Sequence, residues 1–132
     1  QQELLSKPNL DRILSENAAS FQQESATALL NRLYKRTGLS KITLAKRSGM
    51  SEIYLHQIFG GQRTPSRDRL LSLCCAMDAT LEETQEVLKR SSLARLYPKN
   101  RRDAIILHGI AHGTPLMEIH NILFQEGEKP LF

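Results

Sequence analysis

Between Ser25 and Gly127 the chain is divided repeatedly into short apolar segments, each opened by a capping residue and closed by a helix stop. This punctuation restricts it to a bundle of short helices. Ser25 precedes Leu29, Leu30 and Leu33, which recur at helical spacing until Gly38. Ser40 precedes Thr43 and Leu44, and Gly49 closes that segment. Ser51, with Glu52 in the first turn, precedes Leu55, Ile58 and Phe59, and Gly60-Gly61 stops them. Ser66 caps a fourth segment, Arg67 to Met77, and Thr80 caps a fifth, Leu81 to about Arg90. After a break at Pro98, Asn100 with Asp103 three residues on caps a sixth that ends near Gly113. Pro115 opens a seventh that runs to about Gly127. A weaker helical pattern, Asn9 to Ala19 with Leu10, Ile13 and Leu14, precedes a polar connector. Nothing alternates with the period of a strand.

The expected fold is therefore all-α: a five-helix bundle extended by a C-terminal helix pair, about seven helices in all. Three units are expected: an N-terminal helix and connector over 1–24, the bundle over 25–91, and a helical hairpin over 92–132 packed on it. Apolar residues make up 40% of the 132, enough for a core, while aromatics are 5% and Trp is absent, so Leu, Ile and Ala supply the packing. No apolar run approaches the roughly 18 residues needed to span a bilayer, and there is no signal-peptide pattern. The two cysteines, Cys74 and Cys75, are neighbours and would bridge only with strain. A reduced, cytoplasmic protein is expected.

The net charge of +4 conceals an uneven distribution. Residues 1–28 carry −2 and residues 71–132 carry −1, whereas residues 29–70 carry +7. That middle segment sets Arg32, Lys35, Arg36, Lys41, Lys46, Arg47, Arg63, Arg67 and Arg69 against Glu52 and Asp68. Such a field suits a polyanionic partner, the alternative being a solvated basic face.

An internal echo runs at an offset of 35 residues. Asp68-Arg69-Leu70-Leu71 maps onto Asp103-Ala104-Ile105-Ile106, and Ala76 onto Ala111. Leu81, Glu83 and Val87-Leu88 map onto Leu116, Glu118 and Ile122-Leu123. The fourth and fifth segments thus read as repeated in the sixth and seventh, one helix pair stacked after another. Convergence on one amphipathic pattern explains the same matches, and the sequence leaves both readings open.

The second and third segments meet the requirements of a helix-turn-helix. A small residue is needed where the helices cross, and Ala45 supplies it. The turn needs a residue tolerant of positive φ, and Gly49 supplies that. Leu55 and Ile58 point inward so that the opposite face can enter a major groove. Backbone amides at the helix starts near Ser40 and Ser66 can meet phosphates.

With these residues in place, Ser25 to Arg90 resembles the Cro/phage-repressor-like (Xre-type) helix-turn-helix family. The resemblance is carried by Gly38-Leu39-Ser40, Leu44-Ala45, Gly49-Met50-Ser51, Leu55, Ile58, Gly61, Arg63, Pro65-Ser66, and Leu70-Leu71 through Leu81. It implies a repressor-like bundle whose recognition helix is Ser51 to Phe59, with Glu52, Ile53, Tyr54, His56 and Gln57 facing base edges or the backbone. It also implies phosphate contacts from Lys41 and from Gln62, Arg63 and Thr64 in the following loop. Two departures stand out. The recognition helix holds no Lys or Arg, so it cannot itself make a bidentate guanidinium contact to guanine. Ile42 and Ile53 stand where the family has polar residues, ready for a thymine methyl or a protein partner.

Other constellations are weaker. His108 and His112 lie four apart on one helix face and His120 lies beyond the turn, but no cysteine is near and no metalloprotease acid follows, so no metal is expected. Cys74 and Cys75 could sense oxidants if Arg69 stabilised a thiolate, although core packing explains Cys74 better. Lys99, Arg101 and Arg102 read as a solvated helix start rather than as a second phosphate contact. With no Gly-rich phosphate loop, nucleophile elbow or paired acids, neither an enzyme nor a cofactor is expected. The expected function is a DNA-binding transcriptional regulator, repressor-like, whose partner is double-stranded DNA, with a homodimer and a protein partner for the C-terminal helices also allowed. The alternative is a protein-interaction or antitoxin-like module that keeps the fold with weak or no sequence-specific DNA binding.

Overall fold

The computed structural model describes residues 24–132, so the helix expected over Asn9–Ala19 and the connector up to residue 23 lie outside the described residues. Seven helices follow: α1 (Ala26–Thr37), α2 (Lys41–Ser48), α3 (Glu52–Phe59), α4 (Arg67–Ala76), α5 (Leu81–Arg90), α6 (Arg101–Ala111) and α7 (Leu116–Gln125). No strand occurs among the described residues. The capping residues act as such. The side chains of Ser25, Ser40, Ser51, Ser66, Thr80 and Asn100 each accept a hydrogen bond from the backbone N–H three residues on. Each satisfies an otherwise orphaned donor and is worth about 1 kcal/mol. Thr80 and Glu83 form a reciprocal capping box. Helices α4, α6 and α7 stop one or two residues short of the sequence expectation, because the chain turns left-handed at Asp78, Gly113 and Gly127 and the final residues close tighter turns. Pro115 sits at the cap of α7 rather than in its first turn.

Two apolar clusters organise the molecule. The first joins Leu29, Leu30 and Leu33 of α1, Leu44 of α2 and Leu55, Ile58 and Phe59 of α3 to Leu70, Leu73, Met77 and Val87. The second joins Leu71 and Leu88 to Ile106, Ile110, Leu116, Ile119 and Leu123, with Leu96 and Leu131 closing it. Helices α4 and α5 are therefore two-faced, one face covered by α1–α3 and the other by α6–α7. Each buried Leu or Ile contributes roughly 1.5–3 kcal/mol of transfer free energy. Within the hairpin, α6 and α7 approach closely at Gly109, where an added Cβ would lie 2.6 Å from Ile119 Cγ1. Across the first cluster, Arg36 of α1 donates both guanidinium nitrogens to the Glu83 carboxylate of α5, at 2.6 and 2.9 Å.

Candidate nucleic-acid interface

The turn between α2 and α3 is built on Gly49, whose φ of 73° is left-handed and whose N–H donates to Ala45 O at 3.0 Å. Met50 follows and is buried, which drives Leu55 and Ile58 inward and leaves Glu52, Ile53 and His56 exposed. Tyr54 and Gln57 are half-buried on the same outer side. The far end of α3 is fixed to α1 by Asn31, whose amide nitrogen donates to Phe59 O and Thr27 O, each at 2.9 Å. Beyond α3 the chain folds back, with the N–H groups of Gln62 and Arg63 donating to Gln57 O at 2.9 and 3.2 Å. Gln62, Arg63 and Thr64 are thereby held in an exposed loop beside the helix.

Two cations flank the helix that itself has none. The Arg63 guanidinium lies 5.1 Å from the centre of the Tyr54 ring, and the Arg69 guanidinium lies 4.8 Å from it. Both distances suit cation–π attraction, which orients a planar fork without consuming all its donors. Arg63 is steadied further by donating Nε–H to Gln57 Oε1 at 2.8 Å. Met50, Ser51, Ile53, Tyr54 and Gln57 line a shallow groove with the two arginines at its edge.

Of the residues expected here, Ser51, Ile53, Tyr54, Gln57 and Arg63 converge on this groove. Glu52 and His56 lie exposed along α3, and Gln62 and Thr64 lie in the loop after it. Lys41 stands apart from that groove: its Nζ lies 5.6 and 5.9 Å from the centres of the Tyr34 and Phe59 rings. The Ser66 hydroxyl is engaged in accepting the Arg69 N–H at 3.3 Å, so it anchors the helix start that carries Arg69. Arg69 is the residue that sequence reasoning missed. Its basicity was visible, but its contact with Tyr54 joins α4 to α3 and has no local sequence signature.

The +7 of residues 29–70 is smaller as a field than as a count. Arg32, Arg36, Arg47 and Arg67 pair with Glu24, Glu83, Asp78 and Asp103. Lys35, Lys41, Lys46, Arg63 and Arg69 have no carboxylate partner among the described residues. Arg101 and Arg102 are committed as well, to Glu126 and Glu128 and to Asp68, so the C-terminal cluster is ion-paired rather than merely solvated. Burial holds both cysteine thiols up at about 12, which keeps them protonated, and Arg69 is turned to Tyr54 instead of stabilising a thiolate. The His108 and His112 rings stack on each other at 4.1 Å, while His120 stacks on Phe132 at 4.2 Å. Among the described residues no group of three or more His, Cys, Asp or Glu is placed to hold a metal ion, and no helix is long and apolar enough to cross a membrane.

Comparison with known families agrees with this geometry. Residues 26–87 match a family model described as a helix-turn-helix domain, so this segment of the chain is a helix-turn-helix domain, consistent with the Xre-type resemblance of its residues. No curated protein and no solved structure gives a significant match.

Proposed function

We propose that the helix-turn-helix domain binds double-stranded DNA with α3 in the major groove, and that the chain is a cytoplasmic, repressor-like transcriptional regulator rather than an enzyme. The observation that carries this reading is the Arg63–Tyr54–Arg69 arrangement at the edge of the groove on α3. A recognition helix without cations needs its charge from neighbouring elements, and two oriented guanidiniums beside it can meet phosphates or reach a guanine edge. Within the groove, Ile53 suits a thymine methyl and Gln57 suits an adenine edge, while Glu52, exposed on α3 outside it, suits a cytosine amino group.

The test is a salt titration of binding to random-sequence duplex DNA. Each phosphate contact removed lowers the slope of log K against log salt by about 0.9. Arg63→Ala and Arg69→Ala should each do so, with weaker binding across all sequences. If both variants keep the parent's affinity and slope, the DNA reading is wrong. A second reading has its own support, the exposure of Ile42 (55%) and Ile53 (72%) on neighbouring helices. An apolar pair of this kind suits a protein partner, as in an antitoxin-like module. It requires Ile53→Asp to abolish capture of a protein partner while non-specific DNA binding persists.

A further inference from the structure

The offset of 35 residues in the sequence is reproduced by the backbone over 67–97 and 102–132. Helix α5 maps end to end onto α7. In the turn of each pair, the Ala79 N–H donates to Cys74 O and the Thr114 N–H donates to Gly109 O, at 3.0 and 2.8 Å. Left-handed residues recur at matching places, Asp78 and Gly113 in the first turn, Ser92 and Gly127 after the second helix. Arg67 Nε donates to Ala94 O and Arg102 Nε to Lys129 O, at 2.8 and 2.7 Å. The same turn bond closes α2 and α3, at Met50 N–H to Ala45 O and Gln62 N–H to Gln57 O, so it carries little weight alone. Convergence of two amphipathic hairpins gives no reason for the shared arginine clamps. The structure is repeated.

The relation between the copies is not the stacking read from the sequence. Arg67 pairs with Asp103 at 2.9 Å, and Arg102 pairs with Asp68 at 3.0 Å. Arg102 is the counterpart of Arg67, and Asp103 of Asp68, so the contacts are reciprocal. Reciprocity of this kind is the mark of a two-fold interface, where residue i meets j and j meets i. The apolar cluster agrees, since Leu71 and Leu88 share it with their own counterparts Ile106 and Leu123. The outer faces differ. In the first copy Leu73 and Met77 are buried in the cluster that α1–α3 share, whereas their counterparts His108 and His112 are exposed to solvent. The second copy keeps apolar Ile105 and Ile122 where the first has Leu70 and Val87, but the two histidines replace the side chains on which α1–α3 close.

We infer that residues 102–132 are an internal copy of residues 67–97 that takes the place of a second subunit. The chain thus acts as a monomer with one recognition helix, and its DNA target is a single non-palindromic site bound one to one. The DNA half of this inference rests on the function proposed above; the monomer half does not. A dimeric reader needs two recognition helices about 34 Å apart on a symmetric operator. Here the two-fold face is filled within the chain.

Three measurements on the full chain test this. Sedimentation equilibrium should give the monomer mass across the accessible concentration range, and a concentration-dependent dimer overturns the inference. Asp68→Arg and Arg102→Asp should each lower the melting temperature. The double reversal in one chain should lose less than the sum of the two single losses, because it restores the ion pair but not the Arg102 hydrogen bonds to Lys129 O and Pro130 O. An equimolar mixture of the two single variants should show no recovery, and recovery on mixing would mean that hairpins exchange between chains, which overturns the inference. Selection from a randomised duplex pool should return an asymmetric motif bound at one chain per duplex. A palindromic motif bound by two chains overturns the inference while leaving DNA binding intact. Absence of salt-dependent duplex binding overturns the proposed function and the DNA half together, and sedimentation alone then decides the monomer half.

Discussion

Glu83 offers a perturbation whose size can be worked out in advance. Its carboxylate accepts two hydrogen bonds from Arg36 and one from the Thr80 N–H, at 2.6, 2.9 and 2.9 Å. The Arg36 hydrogen bonds, followed by the Thr80 N–H and the Arg36 charge, outweigh the opposing effect of burial and hold the group at about 2 instead of the ordinary 4.5. A carboxylate depressed in the folded state favours folding above its unfolded value, and that contribution is lost as pH falls toward the folded value. The gap between 4.5 and about 2 sets a ceiling of about 3 kcal/mol. The Arg36 side chain is 48% exposed, so water screens the pair, and about 1–2 kcal/mol is the expected contribution. Glu83→Gln keeps an acceptor for Thr80 and removes the charge. Urea unfolding of parent and variant should differ by about 1–2 kcal/mol near pH 7, and the difference should shrink steadily below about pH 4.5. A difference that stays constant down to about pH 2.5, or is absent at neutral pH, would falsify the assignment of this clamp between α1 and α5.

Gly109→Ala should lower the melting temperature. The new Cβ would sit 2.6 Å from a buried Ile119, costing about 1–3 kcal/mol against roughly 1 kcal/mol of helix propensity gained, and a raised melting temperature would show that α7 yields freely. Asp103→Ala removes the acceptor of Arg67 and of the Tyr97 N–H and should destabilise by about 3 kcal/mol in denaturant unfolding, more than Glu83→Gln, since both partners are largely buried; an equal or smaller loss contradicts the reading. Cys74 and Cys75, with thiols pushed up to about 12, should resist alkylation in the native chain at about pH 8 and react promptly once unfolded; fast native labelling of both refutes the burial argument.

How much of this was legible in the sequence follows the range of each interaction. Caps and stops act over three to five residues, so the seven helices and their starts could be read from Ser25, Ser40, Ser51, Ser66, Thr80, Asn100 and Pro115. The groove on α3 was legible too, because an inward Leu55 and Ile58 fix which residues face out. The pairing of charges was not, since Arg36 meets Glu83 and Arg67 meets Asp103 across 47 and 36 residues of sequence. For the same reason the basic count overstated the outward field, and Arg69 escaped notice. The repeat was visible as a pattern, but whether its copies stack or face each other depends on reciprocal contacts that a one-dimensional offset cannot express.

The copy held across the two-fold face also bears on dosage. A reader that must assemble from two chains fills its site with the square of its concentration when scarce, giving a threshold below which the site stays empty. On the function and the monomer state proposed above, the partner surface comes from the same polypeptide. Well below saturation, occupancy would then rise in direct proportion to the amount of protein, and a modest change in expression would produce an equally modest change in output.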